Sequence, residues 1–111
     1  MLSHALRSIS ENVCVTDLED HIIYVNPAFL RTYGYTLEEL IGKDIAIVRA
    51  ASNPPELVRE ILPATLRGGW RGELLNRKKD GSEFPIYLST SIVRDESGKA
   101  VALMSSSTDI S

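Results

Sequence analysis

The stretch YVNPAFLRTYGYTLEELIGKD, residues 24–44, holds three tyrosines, an Asn-Pro step, two glycines and a Glu-Glu pair. It reads either as a ligand constellation or as start and stop signals for short helices. Helix chemistry accounts for most of it. Asn26 is a strong N-cap, and Pro27 suits the first helical position, where the missing N–H would have had no partner. Gly34 stands where a left-handed residue closes the helix. Thr36 followed by Glu39 forms a capping box that starts a second helix, and Gly42 ends it. Phe29, Leu30, Leu40 and Ile41 then supply apolar contacts, with Tyr33 and Tyr35 half-buried. Glu38 and Glu39 are not a catalytic carboxylate pair, because adjacent helical residues point in different directions.

Upstream, NVCVTD alternates and IIYV returns after the turn LEDH, so Val13 to Val25 is expected to form a hairpin. Leu2, Leu6 and Ile9 form one apolar stripe, which predicts an amphipathic helix over residues 1–12 ahead of a domain over 13–111. Such a stripe must lie against the domain or against a second copy of the chain. Downstream, NPPELVREILPATLRGG reads as a longer helix capped by Ser52 or Asn53. Its buried face is Leu57, Val58, Ile61 and Leu62, with a break or kink expected near Pro63. The period then changes. WRGELLNRK and SEFPIYLSTSIVR flank an Asp80-Gly81 turn, and AVALMSSSTDI follows the turn DESGK. Pro85 cannot donate to a ladder and should face an edge or a bulge. Two strands, a block of short helices and three more strands give an α+β fold with one antiparallel sheet.

The chain has 111 residues, 43% hydrophobic and 24% charged, which fits one globular domain. A net charge of −3 gives no broad reason to bind nucleic acid. The basic run Arg77 to Lys79 reads as a solvated turn. The apolar runs are far too short to span a membrane. MLSHALRSISENV lacks the apolar core of a secretory signal. One cysteine, Cys14, rules out an intrachain disulfide and suits a cytoplasmic location. With His4 and His21 it makes too scattered a set for a metal site. His4 falls on the expected N-terminal helix and His21 in a hairpin turn, so neither is well placed as the base of a Ser-His-Asp set, and RGGWRG lacks the lysine of a phosphate-binding loop, so no catalytic set is expected.

The order of elements, with VTDLEDHIIYVNPAFLRTYGYTLEELIGKD, WRGELLNRKKDGSEFPIYLSTSIVRDESGKAVA and the terminal TDIS, resembles a PAS domain. The resemblance runs from about Ile9 to Ser111. It implies a five-stranded antiparallel sheet in the order 2-1-5-4-3, with short helices closing a pocket over one face. It also implies a sensory module of a bacterial signal-transduction protein, such as a two-component histidine kinase, a diguanylate cyclase or a transcription regulator. TDIS is similar to the family's Asp-Ile-Thr signature, with Ser111 in the Thr place. Asp109, Ile110 and Ser111 would then relay a signal into an output domain in the parent chain, and the stripe Leu2, Leu6 and Ile9 would make a homodimer.

The pocket implied by this resemblance draws its candidate lining from Trp70, Asn76, Ile45, Ile61, Leu88, Met104 and Ser106. Trp70, Gly72, Leu74 and Asn76 share one strand face by alternation, and Gly72 would leave space there. The ordinary reading of the apolar members is hydrophobic core. Asn76 and Ser106 weigh more, since buried polar groups need partners. Haem is not expected, because the long helix has no axial His. A light-driven cysteinyl adduct is not expected either, because Cys14 lies on the first strand. A redox flavin is an alternative: the Asn76 amide suits the imide edge of its ring. Against it, Ile45 and Pro63 stand where such members carry a Glu and a Trp. The sequence thus points to a non-catalytic sensor of a small ligand, or to a ligand-free dimerisation and relay module.

Overall fold

The alternation in NVCVT turns Asn12, Cys14 and Thr16 inward and leaves Val13 and Val15 half-buried. This strand, β1 (Asn12–Thr16), pairs antiparallel with β2 (Ile22–Val25), giving the expected hairpin. The turn between them is held by Asp17, whose Oδ1 accepts from the backbone of Glu19 and His21, both at 2.9 Å. Asp20 completes it with a left-handed φ of 68°, a conformation Asp tolerates better than most residues. The computed structural model describes residues 11–111. The expected helix and its stripe Leu2, Leu6 and Ile9 lie outside the described residues, and Asn12 already belongs to β1.

The remaining strands are β3 (Trp70–Arg77), β4 (Glu83–Arg94) and β5 (Ala100–Asp109). All five form one antiparallel sheet in the order β2-β1-β5-β4-β3. Four short elements cross between β2 and β3: α1 (Pro27–Tyr33), α2 (Leu37–Leu40), a 3₁₀ turn (Ile45–Val48) and α3 (Pro55–Leu66). Their apolar side chains meet one sheet face, where Ile22, Tyr33, Leu40, Val48, Ile86 and Leu88 are almost fully buried. On the opposite face Tyr24, Tyr87 and Met104 are 50%, 41% and 41% exposed.

The caps form as the sequence predicts. Asn26 Oδ1 accepts from Phe29 N, and Gly34 closes α1 with φ of 81°. Thr36 and Glu39 make both bonds of the capping box. Tyr33 is buried rather than half-buried, and Ile41 is 42% exposed rather than in the core. α2 has only four residues, so it presents one side chain, Leu40, and turns the next outward.

Three expectations for the second half change. Neither Ser52 nor Asn53 caps α3, whose first turn has no side-chain cap. The Asn53 amide instead faces the free edge of β3. It accepts from Leu75 N at 2.8 Å and donates to Leu75 O at 2.7 Å, as a neighbouring strand would. Nor does α3 break at Pro63: it runs as one helix from Pro55 to Leu66. Pro63 and Arg59 are both exposed, so the carbonyl that loses its partner there can turn to water. Pro85 lies on an interior strand, opposite Leu75. Its carbonyl accepts from Ile110 N just past the end of β5, so its missing N–H falls where the ladder stops.

Candidate functional site

Between β1, β5, the 3₁₀ turn and α3 lies a cavity of about 20 Å³, enough for one water. Its apolar wall includes Ile45, Ile61, Leu62 and Leu103. Its polar wall is Thr16, Asp20, Arg49, Thr65, Thr90 and Ser105, with Cys14 at the sheet. The Thr65 hydroxyl donates to Ile61 O at 2.7 Å and lies 2.5 Å from the Thr90 hydroxyl, tying α3 to β4.

Arg49 is the unusual member. It follows the 3₁₀ turn, in the segment that pairs with Asn76 along the edge of β3. Its Nη1 donates to Asn76 Oδ1 at 3.1 Å. The other end of the same amide, Asn76 Nδ2, donates to the Tyr33 hydroxyl at 2.6 Å. Ser107 on β5 lies near that phenol and draws its pKa down. A polar chain therefore runs from the cavity wall at Arg49 through Asn76 of β3 to Tyr33 of α1.

The electrostatics follow from burial. Loss of water around the Arg49 guanidinium is the largest influence on it and lowers its pKa, while nearby Tyr33 and Asp20 oppose that shift. Among the described residues, no carboxylate lies within ion-pair distance of Arg49; the close pairs are Lys79 with Glu39 at 2.6 Å and His21 with Asp17 at 3.2 Å. Asp20 shares the cavity, its pKa raised by burial and pulled back by Arg49. Burial raises the Tyr33 phenol despite its bond from Asn76. The Cys14 thiol is pushed up to about 12 by desolvation, so it stays protonated and weakly nucleophilic at neutral pH.

The sequence-derived candidates divide. Ile45 and Ile61 line the cavity. Met104 borders it between Leu103 and Ser105, but is 41% exposed, with its register on the outer face. Ser106 lies on that outer face as well, donating to Glu11 Oε2, because Cys14 pairs with Ser105 and so turns odd-numbered β5 residues inward. Leu88 is core, 2% exposed, and does not reach the cavity. Trp70 is half-buried and folds its ring over Gly72, where an added Cβ would stand 2.6 Å from the indole. The space expected at Gly72 is thus filled by Trp70 itself. Asn76 is buried with protein partners on both ends of its amide.

Arg49, Asp20 and Thr65 went unmarked in the sequence. The one available signal was a lone arginine inside the apolar run IAIVRA. At the chain's other end, Asp109 closes β5 and its Oδ1 accepts from Ser111 N at 2.8 Å and from Ser111 Oγ at 2.5 Å. Among the described residues, no group of three or more His, Cys, Asp or Glu is placed to hold a metal ion. No described helix is long and apolar enough to cross a membrane.

A family model described as PAS domain matches residues 10–111. This chain belongs to the PAS family. The PAS domain is 31% identical over 107 residues to a nitrogen fixation regulatory protein of Klebsiella oxytoca, covering 96% of this chain and 22% of that protein. It is 35% identical over 91 residues to a blue-light-activated histidine kinase of Erythrobacter litoralis (strain HTCC2594), covering 68% of this chain and 24% of the kinase. The chain therefore spans about a quarter or less of these relatives. A solved light-oxygen-voltage domain, the subject of work with a flavin analogue, superposes with a TM-score of 0.87 at 28% identity, covering 99% of this chain and 84% of that one.

That likeness calls for a test of flavin against the residues present. The cavity of about 20 Å³ is far below the roughly 300 Å³ or more of ordinary cofactor pockets. The Asn76 amide that would meet a ring edge is engaged at both ends by Arg49 and Tyr33. The residues as arranged do not fit a flavin.

Proposed function

We propose that this PAS domain is the input module of a larger signalling protein, and that it senses a small ligand at the Arg49–Asp20 cavity. The supporting observation is the hydrogen-bonded chain Arg49–Asn76–Tyr33, with Ser107 of β5 near the Tyr33 phenol. A ligand that engages Arg49 competes with Asn76 for the guanidinium, and Asn76 in turn donates to the Tyr33 hydroxyl. Ser107 lies two residues before Asp109, where the strand ends. Asp109, Ile110 and Ser111 are then the exit through which the change reaches an output domain. A ligand biases that output only if it binds two states with different affinity. The domain itself is non-catalytic in this reading. Native mass spectrometry of the purified chain, after equilibration with a pool of cell metabolites, is expected to show a retained small compound. A chain that retains none, and copurifies with none, overturns the ligand reading.

A second role, dimerisation, is supported by the exposed Tyr24, Tyr87 and Met104 on the outer sheet face. The proposed occupant of that face is a second copy, joined through Leu2, Leu6 and Ile9. Sedimentation is expected to show a dimer that Leu6→Glu dissociates; a monomer unchanged by that substitution rejects it.

A further inference from the structure

The register of β3 fixes which way its backbone groups point. Leu75 sends its N–H and C=O outward, away from β4. Asn53 Oδ1 accepts that N–H at 2.8 Å, and Asn53 Nδ2 and Ala50 N donate to that C=O at 2.7 and 3.1 Å. Opposite Leu75 on β4 stands Pro85, which has no N–H to offer and whose C=O turns to Ile110. Backbone groups alternate sides along an antiparallel strand, so Glu73 and Arg71 point theirs outward as well. Trp70, of the other parity, points back and donates its N–H to the Thr90 hydroxyl at 3.0 Å. Among the described residues β4 is the only strand beside β3. The N–H and C=O groups of Arg71 and Glu73 therefore stand at an open edge. That edge is short, because Leu75 is already taken and the Gly69 N–H goes to Ala64 O at 3.1 Å.

An open edge is a template for another strand, and proteins commonly guard it with charge. Here the two charges are of opposite sign. Arg71 and Glu73 are both exposed and share one face of β3. A second β3, running antiparallel about a two-fold axis at Gly72, sets Arg71 opposite the copy's Glu73 and Glu73 opposite the copy's Arg71. Both positions carry outward groups, so each becomes a hydrogen-bonded pair. An unrelated strand would gain the backbone bonds alone, whereas a second copy also gains two opposite-charge pairs. We propose that two copies of this chain join edge to edge through Arg71 and Glu73, which makes one continuous sheet of their two sheets.

This contact is separate from the outer face that carries Tyr24, Tyr87 and Met104, so one chain can use both surfaces. It is small and belongs to the transient class of interfaces. Exposed charge pairs add little affinity, but they fix register and partner. The edge contact is therefore weaker than the face contact and forms at higher protein concentration.

Sedimentation of the full chain carrying Leu6→Glu separates the edge from the face. As the concentration rises toward about 1 mM, a monomer–dimer equilibrium is expected to emerge. Arg71→Glu, added to that chain, sets like charges opposite each other, and so does Glu73→Arg. Each is expected to weaken self-association about tenfold or more. An equimolar mixture of the two variants restores every opposite-charge pair and should associate as the parent does. Both side chains are exposed, so both variants should fold. If one does not, the exchanged chain Arg71→Glu/Glu73→Arg decides the matter, since it is expected to pair like the parent. A chain that stays monomeric at every concentration overturns the inference and leaves the edge to some other strand. Single variants that associate as strongly as the parent overturn it too, as does a mixture no stronger than either variant alone.

Discussion

At the scale of single residues, two buried groups define the interior. Asn76 uses its carbonyl for Arg49 and its amide for Tyr33, so it is the joint of the polar chain. Asn76→Leu keeps the volume and removes both bonds, leaving a phenol and a guanidinium unanswered. The expected loss is about 1–3 kcal/mol, read as a lower urea midpoint at an unchanged slope; an unmoved midpoint would show that the chain does not hold the core. Cys14 is 1% exposed, and its thiol is pushed from 9.0 to about 12. Native protein at pH 8 should resist a thiol reagent that labels it at once in urea, and fast native labelling would contradict the burial. The sign follows from proton retention. The folded thiol keeps its proton above pH 9.0, where the unfolded one loses it, so this group's contribution to stability falls as pH rises toward 12.

At the scale of elements, α1 and α2 over the sheet are short and separately capped, but their caps differ in weight. Asn26 is buried and does more than start α1. Its Oδ1 accepts from Val13 N and Phe29 N, both at 3.0 Å, and its Nδ2 donates to Glu11 O at 2.9 Å. It fastens the start of β1 to the helix. Thr36 is exposed and serves only the four-residue α2. Asn26→Ala should therefore cost about 2 kcal/mol or more, and Thr36→Ala about 0.5–1 kcal/mol, compared by urea unfolding of the two variants. Equal losses would mean that the strand bonds of Asn26 add nothing. The cap spacing that named these helices was legible because it is local: a side chain reaching its own backbone three residues on needs no tertiary partner. The edge role of Asn53 was not legible, since Leu75, which it pairs, is far away in the chain. The unbroken α3 also escaped, because only the folded structure shows that Pro63 faces water.

At the scale of the whole molecule, the surface carboxylates set the acid limit. Asp17, Glu39, Asp80, Asp95 and Asp109 all lie below their ordinary values, mainly through hydrogen bonds in turns, a cap and an ion pair. Each contributes stability above the unfolded values of 3.8 (Asp) and 4.5 (Glu), lost as pH falls through the lower folded value. Asp20 runs the other way. Burial raises it, so the folded state takes up that proton first and protonation there favours the fold. Five groups against one give a Tm that holds near neutral pH and falls once pH drops below about 4. In Asp20→Asn the fall, measured from its own neutral value, should be steeper, because the opposing group is gone. A melting series from pH 7 to pH 3 in both chains checks the sign, and a shallower fall in the variant would reverse it.

The sequence by itself determined the hairpins, the capped helices, the antiparallel α+β architecture and, through the order of its motifs, membership of the PAS family. These rest on contacts within a few residues or on alternation along one strand. Only the tertiary structure decided the site. Which face of β5 turns inward depends on its register against Cys14 of β1, and that register exchanged Met104 and Ser106 for Leu103 and Ser105. Trp70 filled the space that Gly72 left. Arg49 and Asp20 come from separate loops, and what makes them a site is the one cavity they both line, a juxtaposition that no spacing along the chain encodes.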